Sequence, residues 1–377
     1  MSWNRNRLTQ QLGIEYPIIQ GPLGGLSSQR LTATVSNFGG LGSFGAHSRT
    51  SEEIRQVIAE IRGLTSRPFA MNLWVSMEDE GARVSDERAF NRALEPLAAS
   101  MAELSVARPA YQPYSPLRFE DQAQVLLDEN VPIFSFIFGI PPDEILRECR
   151  RKGIVTIGTA TTPEEAVALE QSGVDAIVAS GFEAGGHRGS FIDAAQNSLT
   201  GTISLVPRVV DLVQVPVIAA GGIADARGII AGLALGAEAV QMGTVFVACD
   251  ESGASPLHRA ALLGPVSGRT ALTSGFTGRL ARGIHNRLLD ELSRKASEIL
   301  PYPLQRALVR NLATAAEAAV RPDLVPLWAG QSAPLCRYTE AGELLRSLVE
   351  EVSEIAERVA DWSSKHRSGH AMEGGLT

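Results

Sequence analysis

Cysteine is scarce in this chain. Its three residues, Cys149, Cys249 and Cys336, are odd in number and far apart, so they cannot build a disulfide framework or a thiolate zinc knuckle. Positive charge is in deficit too: 34 Lys plus Arg face 42 Asp plus Glu, for a net charge of −8 and no basic run. That balance excludes nucleic acid and anionic membranes as main partners. No apolar run reaches the ~18 residues of a membrane helix. The segment Met1 to Gly13 is polar and lacks the apolar stretch of about 7–15 residues that marks a secretory signal, so the expected location is cytoplasmic. Histidines number six. His47, His258 and His285 are scattered without carboxylate partners, and His366 and His370, although at metal-ligand spacing, lie in a polar tail and are expected to be solvated. No metal is expected. A G-x-S-x-G elbow is missing, which removes the serine-hydrolase reading.

Glycine, by contrast, is abundant: 36 residues, above the usual ~7%. The excess lies mostly before residue 285 and suggests tight turns at the ends of repeated elements. Four segments share a residue, a Pro and a short apolar run: Tyr16–Gln20, Arg67–Asn72, Val131–Phe136 and Val215–Ala219. Proline is tolerated at the first residue of a strand, and continuous apolar runs suit strands buried on both faces of a parallel sheet. Four further runs, Gly39–Phe44, Ile154–Gly158, Val174–Ser180 and Ala237–Met242, complete eight candidate strands.

Helical stretches separate the strands. Ser51–Ile61 follows a Thr50-x-x-Glu53 capping box, and Pro163–Gln171 has Thr162 as cap with Glu165 completing a box. Ile145–Lys152, Ile203–Val213 and Ala226–Leu235 carry helical apolar spacing as well. Alternating strands and helices imply βαβ units, and eight of them over about 240 residues fit an α/β (β/α)8 TIM barrel. Two regions fall outside the repeat. Residues 76–122 read as a partly helical insertion after the third strand, and residues 278–363 as a helical C-terminal extension without strands. The expected organisation is a barrel over 1–277, the extension over 278–363, and a disordered tail over 364–377.

Active sites of such barrels lie at the C-terminal ends of the strands. There the seventh strand runs into Gly221-Gly222 and the eighth ends in Gln241-Met242-Gly243-Thr244. Glycines in these two loops let backbone N–H groups close on a phosphate. Tight turns alone would give the same residues. The sixth strand ends in Ser180-Gly181-Phe182-Glu183-Ala184-Gly185-Gly186-His187-Arg188. His187 there can exchange a proton or bind an anion, with Arg188 as a second cation, against the commoner fate of a structural histidine. Gln20 and Asn72 close apolar strands, and an amide there can pair with a heteroaromatic ring or cap a loop. Gly40–Gly45 matches G-x-G-x-x-G, but no acidic residue stands at a strand end about 20 positions on, so a Rossmann unit is rejected.

Taken in order, Ile18–Leu23 with Val35–Gly42, Glu183–His187, Ile218–Ile223 and Gln241–Thr244 resemble the signatures of the nitronate monooxygenases, the former 2-nitropropane dioxygenases. Gly278–Asn286 and Trp328–Gln331 look like the C-terminal part of the larger bacterial members. The resemblance implies an FMN-dependent barrel that oxidises anionic nitronates with O2 to carbonyl compounds and nitrite. By motif position it places Gly243, Thr244 and Gly222 on the FMN phosphate. It places Asn72, Gly185, Gln241, Met242 and the backbone of Gly21, Pro22 and Leu23 on other parts of FMN, and counts Gly186, Gly221 and Ser180 among the cofactor residues. His187 becomes the active-site histidine facing the flavin. Ser180 stands where many relatives carry a Gln, Leu23 replaces a common Met, and Ile137 occupies a pocket position that is often His. The implied partners are the nitronate and O2, and the chain is compatible with a homodimer.

Two other readings share parts of this pattern. An FMN-dependent NAD(P)H reductase of the same barrel, of the enoyl-acyl-carrier or quinone type, has the same Gly-Gly-His signature. The long insertion, the helical extension and Trp328–Gln331 favour the oxygenase. A phosphate-binding barrel without redox chemistry would use the two glycine loops but gives no reason for His187 beside Gly185-Gly186.

Overall fold

Eight parallel strands close around an apolar lumen in the computed structural model, which describes residues 3–79, 81–84, 86–112 and 117–369. They are β1 (Ile18–Gln20), β2 (Gly42–Gly45), β3 (Phe69–Trp74), β4 (Ile133–Ile137), β5 (Val155–Ala160), β6 (Ala176–Ser180), β8 (Val217–Ala220) and β9 (Ala239–Met242). The hydrogen-bonded order is β1-β9-β8-β6-β5-β4-β3-β2, and a parallel bridge between Ile19 and Leu41 closes the ring. Each strand coincides with one of the eight apolar runs. Ile19, Ala70, Ile133, Ile157, Val178 and Ile218 fill the lumen, and Leu8 and Leu12 of the N-terminal helix Arg7–Leu12 pack into the same cluster. The fold is a (β/α)8 barrel.

The ring helices follow their local signals with one exception. Helix Ser51–Leu64 carries the reciprocal Thr50/Glu53 capping box. Helix Pro163–Gln171 is capped by Thr162, whose hydroxyl accepts from the Glu165 N–H at 3.2 Å. The Glu165 carboxylate does not return to the cap. It is fully buried and accepts from the Thr161 N–H and hydroxyl, each at 2.6 Å, and from the Phe191 N–H at 2.6 Å. A buried carboxylate gains more from several converging donors than from one cap N–H. The G-x-G-x-x-G stretch is extended: Gly42–Gly45 is β2 itself. Helix Phe119–Asp128, at the end of the segment read as an insertion, packs in the ring between Ser51–Leu64 and Asp143–Lys152.

A second sheet lies outside the barrel. Two-residue β7 (Gly186–His187) pairs antiparallel with β11 (Ala281–Ile284), which pairs antiparallel with β10 (Thr270–Thr273). The C-terminal region is therefore not helical throughout. Ala281-Arg282-Gly283-Ile284 lacks the long apolar run of the barrel strands, because one of its members, Arg282, donates to Phe182 O and Thr270 Oγ1 instead. Helices Glu87–Leu94 and Ala98–Glu103 share an apolar core with Leu288, Leu304, Leu308 and Leu312 of the C-terminal helices. The last helix, Ala341–Gly369, packs on the ring helices Gln29–Phe38 and Ala226–Ala234. It runs into the tail expected to be disordered, and residues 370–377, with His370, lie outside the described residues. Among the described residues, no helix is long and apolar enough to cross a membrane.

Candidate active site

The C-terminal ends of the strands open into a solvent-connected cleft. Its walls contain twelve of the thirteen cofactor candidates read from sequence (Gly21, Pro22, Leu23, Asn72, Ser180, Gly185, Gly186, Gly221, Gly222, Gln241, Gly243 and Thr244), together with His187. Met242 is the exception. Its side chain is fully buried among the helices, because neighbours on a strand point to opposite faces and Gln241 takes the face toward the cleft. The Met242 carbonyl still matters, accepting from the Gly21 N–H at 2.8 Å. Gln20 is also withdrawn: it is fully buried, accepts from the Ser43 N–H at 2.9 Å and donates to Gly21 O. It spans β1 and β2 and has no amide to offer a ligand. Asn72 remains on the cleft wall and donates to Ser135 Oγ at 3.0 Å.

One end of the cleft is a glycine cradle made from three loops. Gly221 adopts φ +101°, and a Cβ there would sit 2.8 Å from Gly181 O, so only glycine fits. Thr202 Oγ1 donates to Gly221 O at 2.8 Å, and the Glu183 carboxylate accepts from the Thr202 N–H at 2.9 Å. Next to this turn, Gly243-Thr244 meets a segment that the sequence reading did not place in the site. The Gly330 N–H donates to Thr244 Oγ1 at 2.9 Å, and Ser332 Oγ donates to Gly222 O at 2.6 Å. Gly185 lies against the same segment, with room for a Cβ only 2.6 Å from Gly330 N. The cradle thus draws on the C-terminal region as well as on the barrel.

The other end is aromatic and cationic. His187 Nε2 is 2.9 Å from Thr277 Oγ1, and its ring packs against Trp74, with centroids 4.9 Å apart, and Trp328, at 5.3 Å. Burial, reinforced by Arg279 and Arg306, pulls the His187 pKa down to about 3. At neutral pH the imidazole is uncharged, so it does not hold an anion by charge, and it gains proton affinity only when a negative charge is placed beside it. Arg279 is pinned by Asp79 at 2.7 Å and Ser76 O at 3.0 Å, with its guanidinium 4.2 Å from the Phe138 ring centroid. Arg306 lines the cleft and donates to the Tyr302 hydroxyl at 3.3 Å. Arg188 does not contribute. It is buried and donates to Ser198 O at 3.1 Å, Thr161 O at 3.0 Å and Ser180 O, behind the wall that His187 faces. The alternation along an extended chain sends His187 and Arg188 to opposite sides.

His47, Trp74, Thr277, Arg306 and Trp328 were not legible as site residues. They come from five separate segments, among them the end of β3 and helix Leu304–Ala318, that only the folded chain brings together. Among the described residues no cluster of His, Cys, Asp and Glu could hold a metal ion.

A barrel with a glycine cradle at one end of the cleft and a neutral histidine at the other defines a class of small-molecule enzyme. The family model for nitronate monooxygenase matches residues 5–351, and the chain belongs to that family. It is 40% identical over 354 residues, 94% of this chain and 99% of the relative, to a protein named "Probable nitronate monooxygenase" in Staphylococcus aureus strain Newman. Among solved structures it resembles a nitroalkane oxidase from Streptomyces ansochromogenes, at TM-score 0.84 and 38% identity over 94% of this chain and 100% of that one. FabK from Thermotoga maritima is similar at TM-score 0.73 and 28% identity, over 95% of this chain and 99% of that one. The protein is an oxidoreductase.

Proposed function

We propose that this protein is a cytoplasmic FMN-dependent enzyme that oxidises alkyl nitronates with O2 to carbonyl compounds and nitrite. The observation that carries the reading is the polarity of the cleft: a cradle of Gly221, Gly222, Gly243 and Gly330 at one end, and neutral His187 beside Arg306 at the other. The cradle fits a phosphate-ended cofactor. A Cβ at Gly243 would meet nothing nearer than Leu23 Cδ2 at 3.8 Å, so there is open space against backbone at the point where a phosphate must approach. Gly21, Asn72, Gly185 and Gln241 line the stretch between the two ends and would hold the ring system. When bound, FMN supplies the redox centre that takes electrons from the substrate and passes them to O2.

The chain's own residues do the rest. Arg306 and Arg279 supply the local positive potential that an anionic nitronate needs in a protein of charge −8. Thr277 Oγ1 lies 3.3 Å from Arg279 O. If its hydroxyl donates there, its oxygen accepts from His187 Nε2–H and leaves Nδ1 as the proton acceptor of the ring. A substrate supplied as the nitronate needs no deprotonation, whereas a neutral nitroalkane must first give its α-proton to this base. Ile137, Trp74 and Trp328 make the surrounding wall apolar, which favours alkyl groups.

Anaerobic mixing of the flavin-loaded protein tests the reading. Alkyl nitronate alone should change the flavin spectrum, and readmitted O2 should restore it with release of nitrite. Flavin reduction by NADH or NADPH, with no response to nitronate, would replace it by the reductase reading.

A further inference from the structure

A second imidazole lines the cleft with one ring nitrogen, Nδ1, unpartnered. His47 follows β2 and is 2% exposed, and its Nδ1 is buried with no partner. Buried polar atoms in native folds are nearly always paired, so an unpaired one in a residue that lines the cleft leaves this imidazole with hydrogen-bonding capacity that no protein group uses. The ring is not loose. It stacks face to face on Trp74, with centroids 3.8 Å apart and planes 6° apart. Its backbone carbonyl accepts from Gln122 Nε2 at 3.0 Å. Its Cε1 edge faces Gly24, where an added Cβ would come within 2.8 Å of it, so the absence of a side chain at Gly24 is what admits the imidazole. Burial and the nearby Arg306, His187 and Arg279 hold its pKa well below the usual value, so the ring is neutral and carries one N–H.

We propose that His47 is a substrate-binding residue of the cleft, whose imidazole gives its N–H to an oxygen of the nitronate bound against the wall that His47 shares with Trp74 and His187. The two imidazoles flank one indole: Trp74 lies within 3.8 Å of His47 and 4.9 Å of His187, centroid to centroid. A neutral N–H donor stabilises an anion by hydrogen bonding without adding another cation beside Arg279 and Arg306. The assignment rests on the nitronate reading above, but it uses no step of the redox chemistry.

Binding of nitrite, the oxygen anion released in that reading, to the flavin-loaded protein provides the test, followed by flavin absorbance. His47→Phe keeps the stack on Trp74 and removes the N–H. It should raise the nitrite Kd and the KM for alkyl nitronate by about tenfold to a hundredfold, the range for losing a hydrogen bond to a charged group. His47→Asn, which restores an N–H, should recover part of the loss. Flavin content and Tm should stay at wild-type values in both variants, since no hydrogen bond within the protein is removed. An unchanged nitrite Kd in a folded, flavin-loaded His47→Phe, or a loss confined to flavin content, would overturn the assignment. If the wild type oxidises nitronate while His47→Phe binds nitrite normally, only this inference fails. If the wild type neither binds nitrite nor oxidises nitronate, the nitronate reading fails and takes the inference with it.

Discussion

His187 and Thr277 are 90 positions apart in the chain and meet through a hydrogen bond of 2.9 Å. The pairing joins β7 to the loop between β10 and β11 and leaves Nδ1 as the nitrogen not engaged in this bond. Thr277→Val keeps the shape and removes the hydroxyl. We expect kcat/KM for a neutral nitroalkane to fall by about tenfold, the worth of one buried hydrogen bond, with Thr277→Ser near wild type. Steady-state kinetics of the two variants check this, and equal activity of Thr277→Val and wild type would contradict it.

Gly243 faces open space in the cradle, with Leu23 Cδ2 as its nearest neighbour at 3.8 Å. The protein leaves room for a side chain there, so variants should fold, and any loss of flavin reports on the space a phosphate would enter. Gly243→Asp should lose flavin on purification, because a carboxylate would oppose the phosphate. Gly243→Asn, of the same size but uncharged, should lose less of it than Gly243→Asp. Flavin per protein, read from absorbance and released cofactor, decides. Equal retention in the two variants would move the phosphate elsewhere.

Arg188 is a brace and not a ligand. Its guanidinium, pulled down to about 10 by burial, is still charged at neutral pH and binds the carbonyls of Ser198, Thr161 and Ser180. Arg188→Ala leaves these acceptors unpaired and should cost about 3 kcal/mol or more of stability. Denaturant unfolding should show the loss as a lower midpoint, while KM for nitronate at a temperature where the variant is folded stays within about twofold. A tenfold rise in KM without loss of stability would return Arg188 to the substrate site.

Acid should destabilise the protein through histidines that the fold holds neutral, His47 and His258 in the interior and His187 on the cleft wall. Burial lowers the pKa of His187 to about 3 and of His258 to about 4, and lowers that of His47 as well, whereas an unfolded histidine titrates near 6.5. Below that value the unfolded state binds more protons, so stability is full above about pH 6.5 and falls as pH drops toward the folded values. Each histidine contributes at most about 1.4 kcal/mol per pH unit. Thermal melts between pH 7.5 and about 5 should decline, and His258→Gln, which keeps an N–H for Trp328 O, should reduce the slope by one histidine's share. A flat profile would contradict the buried, neutral assignment.

Much of this architecture was legible in the sequence for physical reasons. Strands buried on both faces write continuous apolar runs, and Pro17, Pro68, Pro132 and Pro216 mark their starts, so all eight barrel strands were read correctly. The glycine loops were readable because close backbone packing leaves only glycine as an option, as at Gly221. Other features depend on tertiary placement. β11 carries Arg282 in place of an apolar run, so nothing in its composition separates it from a loop. Arg188 and His187 are neighbours with opposite directions, a distinction set by the β7–β11 pairing. His47 and Arg306 have no local signal, since their meaning comes from Trp74 and Tyr302 beside them.

On the proposed reading, His187 works on substrate in a flavin site it does not build. Its most direct test is His187→Asn, with FMN content, O2 consumption and nitrite and carbonyl yield measured on the same preparation. The variant should keep wild-type FMN and turn over a neutral nitroalkane roughly 10²–10⁴-fold more slowly, and the wild type should give one nitrite per carbonyl product. A preformed nitronate should lose less. Full activity of His187→Asn on both forms, or loss of its flavin, would contradict this reading.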